Sequence, residues 1–206
     1  ASLFLAIFLG AAGAMAKLTR SLVLSSLAKA YTTVIRGIPD LVLMLLVFFG
    51  GQVLINNVAP LVGYDQYIDI NPFIAGVSTI GFIFGAYMTE TFRGAILAVN
   101  RGQLEAGYAY GMNGGQVFVR ILLPQMVRHA IPGFGNNWLV LVKTTALVSI
   151  IGLDDMVRKA GMAAGATRMP FTFYVVVAIN YLLITTVSIY LLKYLENRYS
   201  VGVRRE

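Results

Sequence analysis

Cysteine is missing altogether from these 206 residues, and histidine occurs once, at His129. The first absence excludes disulfide frameworks and thiolate-held zinc or iron–sulfur sites, and the second leaves nothing for a histidine-based metal cluster or an H-E-x-x-H pair. Charge is scarce as well: Asp, Glu, Lys and Arg make up 12% of the chain, against about a quarter in a typical soluble domain. No G-x-x-x-x-G-K-[ST] phosphate loop occurs, and the nearest run, from Gly135 to Lys143 and Thr144, has the wrong glycine spacing to wrap phosphates. No internal repeat is visible, which counts against folds made of two inverted halves. What is present is apolar: 58% hydrophobic residues and a mean hydropathy of +0.75 describe an all-α polytopic integral membrane protein. The net charge of +7 then reads as basic loops on one side of a bilayer, not as a nucleic-acid site.

The apolar runs predict five transmembrane helices in one domain, over about 1–16, 39–58, 72–99, 130–153 and 170–192. The first is shorter than the roughly 20 residues a span needs and reads as a truncated remnant. Ala14-Met15-Ala16 also fits a signal-peptide cleavage pattern, although no basic segment precedes it. Lys17 to Gly37 carries four cations among apolar residues and suits an interfacial helix. Residues 56–71 form a loop without Lys or Arg, and 154–169 a polar segment. Placing 17–37, 93–129 and the charged tail on one side collects 12 of the 16 Lys and Arg residues, against three on the other. The positive-inside rule therefore expects the N-terminus outside and the C-terminus in the cytoplasm.

Between the third and fourth spans, Gly102 to Arg128 can neither cross a bilayer nor serve as a simple turn. Leu104 to Tyr110 predicts two helical turns with Glu105 in the first, where a carboxylate meets the positive end of the helix dipole. Met112-Asn113-Gly114-Gly115 breaks that helix, and Gln116 to Leu123 predicts a second one ended by Pro124. A knob of two short helices on the cytoplasmic side follows. Glu105-Ala106, Gly111 and Ile121-Leu122-Leu123-Pro124 resemble the EAA loop of the membrane subunits of bacterial ABC importers, where a cytoplasmic coupling helix docks on the ATP-binding subunit. Glu105, Ala106, Gly111, Leu123 and Pro124 are the coupling residues this implies; Gly107 stands where the family usually has a second alanine. An interfacial helix pair without a partner is the bland reading of the same stretch.

Further stretches, 31–39, 85–94, 132–138 and 144–149, resemble the polar amino-acid subfamily of these importers, and 36–42 and 199–205 are similar to its Q-type permease subunits for basic amino acids. The likeness covers nearly the whole chain. It implies a type I ABC importer permease fold in the bacterial inner membrane. It also implies a second permease subunit, M-type or a second copy, a dimer of ATP-binding subunits and a periplasmic substrate-binding protein. ATP and Mg would sit on the partner subunit, with no cofactor on this chain, which is then not itself an enzyme. The function expected is import of arginine, lysine, ornithine or histidine by alternating access. A channel or secondary transporter without an ATPase is the rival reading.

Ionisable groups inside spans are costly and need a reason. Glu90 is expected to pair with Arg93 one turn on or with Lys143 across helices, as bundle glue or in a cavity that Tyr87 also walls. Asn136 and Asn137 follow Pro132, Gly133 and Gly135, where the helix can break toward a water-filled cavity or hydrogen-bond at a close-packed interface. Asp154 and Asp155 follow the fourth apolar run. Adjacent carboxylates on a helix point about 100° apart, which suits neither shared catalysis nor one scissile bond. Asp154 is the expected partner of a cationic substrate side chain, with Ser149 and Thr145 toward its amino-acid end, Tyr87 and Glu90 as weaker candidates for the same cavity wall, and Lys143 as a further substrate-binding candidate. The alternative is that both aspartates start the next helix and pair with Arg158 or Lys159.

Overall fold

The computed structural model describes residues 1–199; the resemblance at 199–205 and the charged tail beyond Tyr199 lie outside them. Every regular element in the described chain is helical: α1 Ser2–Leu18, α2 Leu22–Gly37, α3 Asp40–Leu45, α4 Gly51–Val58, α5 Pro72–Leu97, α6 Arg101–Ala109, α7 Gly114–Val117, α8 Leu123–Thr144, α9 Met156–Thr167 and α10 Pro170–Tyr199. A π-helical turn, Leu46–Gly50, joins α3 to α4, and a 3-10 turn, Ala59–Val62, extends that helix to Gly63. Three helices are long and apolar enough to cross a membrane: 40–62, α5 and α10.

The centre of the bundle is α5. Of its most apolar stretch 61% is buried, against 17% for 40–62 and 11% for α10, so the other two turn most of their side chains outward, as lipid-facing helices do. Asn71 starts α5 by accepting from Phe73 N at 2.8 Å, and Pro72 fills the first position, where its missing N–H costs nothing. Along α1 the small residues Ala6, Gly10 and Ala14 recur every fourth position and are buried against α5. A Cβ on Gly10 would fall 2.4 Å from that of Met88, and one on Gly85 2.8 Å from that of Leu9, so the two helices touch backbone to backbone. Without a hydrophobic drive inside lipid, such close dispersion contact is what associates helices. Gln52 and Asn56 tie the loop before α5 in place, accepting from Ile70 N at 2.9 Å and Ile68 N at 2.8 Å.

Several boundaries depart from expectation. Residues 17–37 are two elements: Lys17 belongs to the last turn of α1, which ends at Leu18, and Ser21 caps α2 after a two-residue break. Because Asn100 caps α6, that helix starts at Arg101, and Glu105 stands beyond the first turn; the dipole argument for Glu105 does not hold. Pro124 does not end the second knob helix. A π turn, Phe118–Leu122, runs straight into α8, with Leu123 N–H bonded to Phe118 O. That widened turn absorbs the missing N–H and the ring of the proline one residue later, which an unmodified α-helix would not. The fourth apolar run is thus the far part of a helix that begins at Gly114 and closes in a 3-10 turn, Thr145–Ser149. Pro132 lies inside α8 without breaking it, and Asn136 lines a cavity of about 330 Å³ between α8 and α10 with Pro132, Gly135, Leu139 and Leu192, whereas Asn137 turns to the bundle. Asn137 is buried and donates to Thr91 Oγ1 at 2.9 Å, the close-packed interhelical bond.

Candidate functional site

The knob is assembled by local rules. Asn100 accepts from Gly102 N at 2.8 Å to start α6, and Asn113 and Gln116 bond reciprocally at 2.9 Å to start α7. Between them Gly111, at φ 82°, reverses the chain while Met112 N bonds back to Gly107 O at 3.1 Å. Glu105, Ala106, Gly111 and Pro124 are exposed, together with Tyr108, Tyr110, Phe118 and Val119. Leu123 is half-buried and lines an apolar cavity of about 380 Å³ with Ile7, Ala14, Phe92, Ile96 and Phe118, which joins the knob to α1 and α5. Gly107 reads from the sequence only as a departure from the family's second alanine, with no contact attached to it. It is buried, and a Cβ there would lie 2.6 Å from Ile121 Cδ1 and 3.2 Å from Val117 Cγ2, so its bareness lets α6 sit directly on the π turn.

A second, polar cavity of about 430 Å³ opens where α1, α2 and the C-terminal part of α5 meet, lined by Lys17, Thr32, Thr33, Arg36, Tyr87 and Glu90. Lys17 Nζ bonds both Thr32 Oγ1 and Glu90 Oε1, while Arg93 Nε donates to Glu90 Oε2 at 2.9 Å. Both carboxylate oxygens are therefore taken. Of the two partners expected from the sequence, Arg93 is found and Lys143 is not. Since Asn137 meets Thr91 and α8 runs antiparallel to α5, Lys143 stands roughly 8 Å along the axis from the level of Glu90, and it is exposed. Lys17 is 73 residues from Glu90, with no local pattern to announce it. The Arg36 guanidinium lies over the Tyr87 ring, 5.6 Å from its centroid.

The remaining sequence candidates lie toward the other end of α5, where Thr145 lines a cavity that Ser149, Asp154 and Lys143 do not. That cavity, of about 340 Å³, is lined by Gly76, Ile80, Thr145, Val148, Asp155 and Tyr181, among others. Gly76 and Glu90 are 14 positions apart, about 21 Å of helix, so Tyr87 and Glu90 do not share a wall with Thr145. Thr145 Oγ1 and Ser149 Oγ donate back to Val142 O at 2.6 Å and Ala146 O at 2.8 Å. Asp155 caps α9, accepting from Arg158 N at 2.8 Å, and Asp154 faces Lys159 Nζ at 3.6 Å with its side chain 64% exposed. The alternative set beside the substrate role, that the aspartates start the next helix and pair with its cations, describes what they do in this state.

Comparison with known proteins places these features in a family. The sequence profile of the binding-protein-dependent transport system inner membrane components matches residues 3–201. The chain is 53% identical over 204 residues to the histidine/lysine/arginine/ornithine transport system permease protein HisQ of Salmonella typhimurium, covering 99% of this chain and 89% of that one. It is 45% identical over 196 residues to the octopine transport system permease protein OccQ of Rhizobium meliloti, covering 95% and 83%. Among solved structures, an amino acid ABC transporter crystallised with histidines superposes with a TM-score of 0.77 at 31% identity, over 96% of this chain and 88% of that one. The MetNI methionine ABC transporter in inward-facing form superposes with a TM-score of 0.65 at 19% identity over 99% and 92%, a likeness of fold alone.

Proposed function

We infer the function from one premise: this chain belongs to the family of binding-protein-dependent transport system inner membrane components, with a type I ABC permease fold. It is a transmembrane subunit of an ATP-driven amino-acid importer. The observation that carries the coupling role is the exposed knob α6–α7, whose bare Tyr108 and the adjoining Tyr110, with Val119 of the following π turn, make a docking face on a helix pair with a bonded cap at each N-terminus. We assign to it Glu105, Ala106, Gly111, Leu123 and Pro124, docking against a dimer of ATP-binding subunits that holds ATP and Mg. In this reading α1 and α8 supply the two further spans of a five-span domain, beside 40–62, α5 and α10. The knob lies in the cytoplasm with the C-terminus, the N-terminus is periplasmic, and the pore is completed by a second permease subunit. A periplasmic binding protein delivers the solute.

The solute we propose is a basic amino acid, in keeping with what the similar permeases are named for. Asp154 is its proposed cation partner. Asp155 is committed to its cap, whereas Asp154 holds only an exposed lysine at 3.6 Å, a pairing worth about 0–1 kcal/mol. A guanidinium arriving at Asp154 can displace that lysine and bond in two places at once. Thr145 and Ser149 would serve the amino-acid end, each exchanging a bond to its own helix for one to the solute. Lys143, exposed on the same segment, is assigned the carboxylate end. Tyr87 and Glu90, about 21 Å away, would meet the solute only later on its path.

The test is arginine uptake into vesicles carrying the assembled transporter. Asp154→Asn should raise the half-saturating arginine concentration about tenfold, the lower end of what a charge-assisted bond contributes. Asp155→Asn should leave it near wild type, because asparagine caps a helix as well as aspartate does. The reverse pattern would move the cation site to Asp155, and unchanged selectivity in both would remove it from this segment. Flux from this chain alone without ATP would establish a channel instead.

A further inference from the structure

We propose that α2 carries a binding site for the phosphate headgroup of an anionic phospholipid, formed by Lys29, Thr33 and Arg36 at the mouth of the polar cavity. The proposal rests on the membrane reading and is independent of substrate and ATPase partner. Around α2 run three stripes. Ala28, Thr32 and Ile35 are buried on the bundle; Val23, Leu27, Ala30 and Val34 are exposed and apolar; Ser26, Lys29, Thr33 and Arg36 are exposed and polar. A helix with an apolar stripe and a basic stripe both open to the outside lies in the membrane interface, acyl chains against one and headgroups against the other.

Charge selects the headgroup. Residues 17–37 hold Lys17, Arg20, Lys29 and Arg36 and no acid. Glu90, the carboxylate in the cavity wall, is held on both oxygens by Lys17 and Arg93 and makes no ion pair with Arg36. Among the described residues neither Lys29 nor Arg36 forms an ion pair with a carboxylate, although Asp40 stands at the start of α3. Tyr87 steadies the face of the Arg36 guanidinium, so its edge donors remain for phosphate oxygens. The mouth of the cavity is open, with no atom within 4 Å of where a Gly37 Cβ would be. The carbonyl end of α2 repels an anion on the helix axis, which puts the phosphate beside the helix, between Lys29 and Arg36, with its acyl chains along Leu27 and Val34.

Native mass spectrometry of the assembled transporter, titrated with phosphatidylglycerol or phosphatidylcholine, tests this. Wild type should retain phosphatidylglycerol in preference. Lys29→Gln and Arg36→Gln should each lower that retention about fivefold, the weight of one basic residue near an anionic membrane, while Arg36→Lys keeps most of it. Inorganic phosphate should fail to displace the lipid, because the apolar stripe contributes. Should Arg36→Gln fail to assemble, Lys29→Gln and Thr33→Val, both at exposed positions, give the same reading. Equal retention of the two lipids, unchanged retention in the variants, displacement by free phosphate, or crosslinking of Val34→Cys to another subunit instead of to lipid would each overturn the proposal.

Discussion

Gly111→Val leaves the membrane helices folded and removes most of the stimulation of ATPase activity by solute-loaded binding protein. Gly111 has a positive φ of 82°, and a Cβ there would meet nothing within 4 Å, so the penalty is in the backbone alone. For an L-residue the left-handed region costs about 1–2 kcal/mol, and a β-branched side chain stands at the upper end. The turn can relieve that cost by giving up the bonds from Gly111 N to Tyr108 O at 2.9 Å and from Met112 N to Gly107 O at 3.1 Å, and α6 then leaves its seat on Ile121. A penalty of that size shifts the population of correctly placed knobs by a factor of about 5–30, and stimulation should fall accordingly. Gly111→Asn is the control, since asparagine visits the same region readily and should retain most of the coupling. Full stimulation in the valine variant, measured on an assembly with normal basal ATPase, would remove Gly111 from the coupling role; so would an asparagine variant as impaired as the valine one.

The reach and the limits of the sequence follow from the range of the forces involved. The start of α5 at Pro72 and the start of α3 beside Pro39 are written in local backbone chemistry and stand where the pattern puts them, whereas the fourth apolar run, sought over 130–153, belongs to a helix that ends at Thr144. Pro124 misled because a proline signal reports only its own missing N–H; whether a π turn precedes it depends on packing of Phe118 and Leu122 that no local pattern encodes. Glu105 was misplaced by a cap: Asn100 lies beyond the run in which the helix was sought. Arg93 was legible as a partner of Glu90 because three residues separate them on one helix, whereas Lys17 becomes a partner only once the glycines of α1 and α5 let those helices touch. The substrate candidates were the right kinds of residue without the right distances. A sequence orders Tyr87, Glu90, Thr145 and Asp154 along spans, but antiparallel packing puts Tyr87 and Glu90 in one cavity and Thr145 in another at the opposite end of α5, with Asp154 lining neither.

Glu90→Gln should therefore behave first as a stability variant. The Lys17 side chain is only 9% exposed and that of Glu90 21%, so the pair is largely out of water. Removing the carboxylate strands the ammonium of Lys17 against Thr32 and the guanidinium of Arg93 beside an amide, and breaking one partner of a buried pair costs about 3–5 kcal/mol. Some of that is recovered by solvent reaching Arg93, which is more exposed than Lys17. Thermal unfolding of the purified assembly, followed in detergent, should show Glu90→Gln well below wild type, and Lys17→Met combined with Glu90→Gln should recover much of the loss by removing the stranded charge. A double variant no more stable than the single one would mean that the two residues do not act as a pair. Transport separates the remaining possibility. If Glu90→Gln keeps its thermal stability but loses arginine uptake, then Glu90 meets the solute's cation on its way through, with Lys17 and Arg93 as the charges that the solute displaces.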